Sequence, residues 1–119
     1  MINLLFLLAT ALASDVYEVC ALENQVWSDE SQTWKTELVT TFYSYKPIQF
    51  IVHENSIEIN RKKKYIKSHE TIDGMPCHRE HENSFVCFDE QNNQFLWEFY
   101  YKNGKVTRDV LKVCSKNGE

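Results

Sequence analysis

The stretch at residues 94–114 reads "QFLWEFYYKNGKVTRDVLKVC", and how it folds decides the architecture of the chain. Phe95, Trp97, Phe99 and Tyr101 alternate with other residues, so in a strand they share one face, the side expected to meet a core. Val106, Val110 and Val113 also fit a helical period, so a helix over 106–114 competes with a second strand. Turn chemistry favours the hairpin. A two-residue Asn103-Gly104 loop would set Glu98 opposite Asp109, like charge against like. A three-residue loop, Lys102-Asn103-Gly104 with Gly104 left-handed, instead sets Glu98 opposite Arg108 and Phe95 opposite Leu111. The second register is expected, and because a one-residue slip exchanges the faces, it also fixes which side chains are buried.

Outward from this hairpin, short alternating or β-branched runs are separated by polar clusters such as "SDESQ", "HEN", "TIDGMP" and "EQNN". Strands are expected at 16–22, 35–45, 48–53, 56–60, 64–69, 84–89, 94–101 and 106–114. The fold class is therefore all-β: a small antiparallel barrel or sandwich of about eight short strands. With only three glycines and two prolines, most turns must rely on Asn, Asp and Ser. His-Glu-Asn-Ser occurs at 53–56 and again at 81–84. The similarity stops there, so it reads as repeated turn chemistry rather than duplication.

Residues 1–13, "MINLLFLLATALA", combine a short apolar run with an A-x-A cleavage signature, the pattern of a signal peptide. The run is too short for a membrane span, which needs about 20 apolar residues. Residues 14–119 are then expected to form a single exported domain, in a periplasm or outside the cell. The net charge of −4 argues against nucleic acid as a partner.

An exported chain meets an oxidising compartment, and this one has four cysteines, so pairing is expected as Cys77–Cys87 and Cys20–Cys114. The first closes a local loop and the second ties the start of the domain to its end. "CHREHENSFVC", at 77–87, could alternatively bind metal through His78 and His81, alone or with His53 or His69. Its spacing lacks the close ligand pairs of structural zinc sites, so it reads as a disulfide loop with no metal.

Two clusters are candidate binding sites. "VWSDESQTWK" sets Trp27 and Trp34 on either side of an acidic loop holding Asp29 and Glu30, an arrangement that can form an aromatic platform for a partner. Arg61, Lys62, Lys63 and Lys64 make a basic run in an acidic protein, suited to an anionic partner. No nucleophile elbow, metalloprotease motif or phosphate loop is present, so neither an enzyme nor a cofactor is expected.

Together these features point to a small non-enzymatic binding module that recognises a protein or other macromolecule, with inhibition of a hydrolase as one form of that task. In size, export and disulfide-braced β design the chain resembles periplasmic lysozyme inhibitors, at the level of architecture alone, since their inhibitory loop motif is absent. Two alternatives remain: a lipocalin-like small-ligand carrier, its interior lined by Phe42, Tyr43, Tyr45 and the strand at 95–101, and a metal-binding protein that uses the four histidines.

Overall fold

A computed structural model describes residues 14–41, 48–59, 64–66 and 68–118. The expected signal peptide, the aromatic run at 42–47 and the basic residues 61–63 lie outside these. Ten strands occur among the described residues: β1 (Asp15–Ser28), β2 (Thr33–Thr41), β3 (Ile48–Val52), β4 (Ile57–Ile59), β5 (Lys64–Ile66), β6 (Ser68–Ile72), β7 (Met75–His81), β8 (Ser84–Asp89), β9 (Gln94–Tyr100) and β10 (Val106–Lys116). All pairings are antiparallel. They build one sheet in the order β5-β4-β3-β1-β10-β9-β8-β7-β6, with β2 also paired to β1. The sheet curls into a half-barrel.

The hairpin at its centre has the expected register. Glu98 faces Arg108 and Phe95 faces Leu111, and Gly104 turns the chain at φ 89°. The segment 106–114 is strand, not helix, because β10 is held on both sides, by β9 and by β1. One expected strand at 64–69 divides into β5 and β6, and β7 arises where the sequence suggested a loop. Its polar residues hide a strand that pairs with β6 and β8.

β1 does the work of two strands. Its first half pairs with β3 and its second half with β2, while β10 runs along its other edge. Two irregularities in the β1–β10 ladder make this possible: Cys114 is passed over between Val113 and Ser115, and Cys20 between Val19 and Ala21. Each extra residue bends its strand and increases the twist. Across the second bulge the inward phase switches, so that Tyr17 and Val19, and then Leu22, face the concave side.

The core lies on that side. Phe95 is fully buried and stacks on Phe50 at 4.5 Å and on Phe88 at 4.8 Å between ring centroids. Tyr17 meets Phe88 and Phe95, with Val19, Ile57, Ile59, Val86 and Leu111 filling around them. A smaller cluster of Cys77, Phe85, Cys87, Leu96 and Val110 occupies the convex side, with Ile72 and Met75 against it. β8 is consequently buried along its whole length. Of the aromatic face expected on β9, Phe95 is in the core and Trp97 packs against it, whereas Tyr101 is 52% exposed beyond the end of the strand.

Candidate functional site

Cys77 and Cys87 form a disulfide, directly opposite one another on β7 and β8. The segment "CHREHENSFVC" is thus a stapled hairpin. His78, on the opposite face from Cys77, is buried opposite Val86. Among the described residues no group of three or more His, Cys, Asp or Glu side chains is arranged to hold a metal. His53 is engaged by Ser14 Oγ at 2.6 Å and Glu58 at 3.4 Å, and the side chains of His69 and His81 lie outside the described residues.

The expected bond between Cys20 and Cys114 is not made; both are thiols. They occupy the paired bulges of β1 and β10, and Cys114 Sγ donates to the Glu18 carbonyl at 3.3 Å. Partial desolvation, the neighbouring Cys20 thiol and the Glu18 carboxylate push Cys114 up to about 11.

The Trp27–Trp34 site is assembled by the β1–β2 hairpin. The two residues pair directly across the strands, and their rings meet edge to face at 5.4 Å. Asp29 accepts a hydrogen bond from Trp27 Nε1 at 3.0 Å, so this acidic residue orients the platform, while Glu30 stands exposed in the turn. Gln32 holds the turn in a left-handed conformation, φ 55°, and its side chain donates to the Asp29 carbonyl.

The sheet adds residues that sequence reasoning missed. Arg108 of β10 lies 4.2 Å over the Trp34 ring, close enough for cation–π attraction. Its Nε donates to Gln25 Oε1 at 2.6 Å, and Gln25 in turn donates to Glu23. Thr36 donates to the same Glu23 carboxylate. Burial lowers the Arg108 pKa, opposed by the charges of Glu98 and Glu23. Hydrogen bonds from Thr36 and then Gln25 lower that of Glu23. On the same convex face Tyr100 stacks on Phe85 at 5.5 Å and donates to Glu98; burial and the Glu98 charge push its phenol up to about 12. Arg108 could have been linked to Glu98 from the hairpin register, but its contact with Trp34 needs the β1–β10 pairing, which no local signal announces.

The outcome is an aromatic and cationic face made by Trp27, Trp34, Arg108 and Tyr100, beside a strand, β2, that presents Leu38 and Val39 at 59% and 65% exposure. Of the basic run at 61–64 only Lys64 is described, in β5 opposite Ile59, and its side chain is not. No helix among the described residues is long and apolar enough to cross a membrane. Comparison with protein-family models, with curated proteins and with solved structures finds no match to this chain.

Proposed function

We propose that this is an exported, non-enzymatic binding module that recognises a macromolecular partner, most simply a protein, through the convex face around Trp27, Trp34, Arg108 and Tyr100. The observation that carries the reading is the Trp27–Trp34 pair with Arg108 stacked on it at 4.2 Å. Trp, Tyr and Arg are the residues that dominate binding energy in protein interfaces. Here they are already held by neighbours, so little side-chain entropy remains to be lost on binding. The adjacent β2 offers its outer edge and two exposed apolar side chains to an extended segment of the partner. A hydrolase whose active-site cleft is occluded by this face is one such partner.

The test is affinity capture from the medium in which the protein occurs, with wild type and a Trp34→Ala/Arg108→Ala variant compared by quantitative mass spectrometry. A protein retained by wild type should bind the variant at least about tenfold more weakly, with the circular dichroism of the variant unchanged. Equal capture by both proteins would reject the face as the site.

A further inference from the structure

The concave side of the half-barrel has a hollow of about 220 Å³ between β1, β3, β4, β9 and β10. Its wall is made by Leu22, Ile48, Phe50, Ile59, Trp97 and Leu111, with one ionisable side chain among them, Asp109. Trp97 faces Asp109 across the β9–β10 ladder, and the Trp97 and Phe50 rings meet nearly perpendicular at 6.3 Å. Asn24 Nδ2 donates to Asp109 Oδ1 at 2.8 Å, fixing the carboxylate and leaving Oδ2 as an acceptor. Among the described residues, no cationic side chain lines the hollow.

We infer that this hollow binds a small organic amine: an apolar body in the Phe50–Trp97–Leu111 wall and an ammonium group on Asp109. Three physical arguments converge on that class. The half-buried Asp109 carboxylate is the charge on this apolar wall, and an ammonium supplies both the opposite charge and the hydrogen bond that Oδ2 can accept. Aromatic rings beside a carboxylate add cation–π attraction for the same group. Size sets the limit: an apolar cavity of about 150 Å³ holds benzene, so this hollow suits a body of roughly one to two rings and is too small for a folded segment of a partner. The site is on the opposite face of the sheet from Trp34 and Arg108, so it stands or falls independently of the macromolecular reading.

The experiment is calorimetric titration of the intact protein with tryptamine and phenethylamine, and with their uncharged counterparts indole-3-ethanol and 2-phenylethanol. The amines should bind, and bind at least about tenfold more tightly than the alcohols. Asp109→Asn, which keeps an oxygen to accept from Asn24, should abolish that preference while leaving the alcohols unchanged. Leu22→Trp should block all four ligands by filling the hollow. Absence of amine binding to wild type, or equal binding of amines and alcohols, overturns the assignment without recourse to any variant. So does amine binding that is undiminished in Leu22→Trp.

Discussion

At the scale of single residues, Asp89 shows how a local network can offset a burial cost. Burial disfavours its charge, yet the Asn92 side chain at 2.9 Å, Gln94 at 3.0 Å and the Asn92 backbone all donate to it, and the net effect lowers its pKa. A carboxyl that is more acidic folded than unfolded contributes stability above the unfolded pKa, near 3.9, and loses that contribution as pH falls through the folded value. Asp89→Asn should therefore cost about 1–2 kcal/mol at pH 7, a difference that shrinks below about pH 4. Urea denaturation of both proteins at pH 7 and pH 3 checks this. A cost that is the same at both values would mean that the charge of Asp89 is not what the turn uses.

At the scale of elements, the β9–β10 hairpin was legible because two independent signals agree. The charge pairing of Glu98 with Arg108 and the left-handed position of Gly104 both demand the same three-residue loop. Gly104→Ala leaves no clash, since no atom lies within contact of an added Cβ, but the residue would sit at φ 89°, where a side chain costs about 1–2 kcal/mol. The thermal midpoint should fall accordingly, by several degrees for a domain of this size. An unchanged midpoint would show that the loop relaxes to another register. β7 was not legible: its Cys-His-Arg-Glu-His run is too polar to announce a strand. The Cys77–Cys87 bond and the ladders to β6 and β8 stabilise it there. The stapled pair was read correctly from spacing, but the strand that carries one of its ends was not.

At the scale of the whole molecule, the first and last strands lie side by side at the centre of the sheet, as β1 and β10. The ends are fastened further by Asn117, whose backbone donates to the Val16 carbonyl at 2.6 Å and whose side chain accepts from Val16 N at 2.9 Å. Cys20 and Cys114 lie along the same seam, in its paired bulges. Treatment with an oxidised dithiol should join them, with loss of two protons and two electrons from the pair to the reagent. The intact mass would then fall by about 2 Da. A bond enclosing nearly the whole domain would raise stability on the order of 4 kcal/mol in the loop-entropy account, less any strain. A mass that does not change under oxidant would show that the thiols cannot reach bonding geometry. Because Cys114 is a weak acid, closure through its thiolate should quicken as pH rises toward about 11.

The sequence by itself determined the class of fold, the central hairpin with its register and the local staple. Each of these depends on residues close together in the chain, where side-chain period, turn conformation and charge pairing act directly. It also marked Trp27 and Trp34 as neighbours across one turn. Only the tertiary structure decided that β10 pairs with β1, that Arg108 of β10 lies on Trp34, and that Leu22, Phe50, Trp97 and Asp109 enclose one hollow. Those contacts join residues far apart in sequence, and they depend on which strand edges meet and on two bulges, at Cys20 in β1 and Cys114 in β10, each of which switches the inward face of its own strand. A change of phase by a single extra residue exchanges the faces of a strand, and nothing in the local pattern around Cys20 or Cys114 distinguishes the bulge from regular pairing.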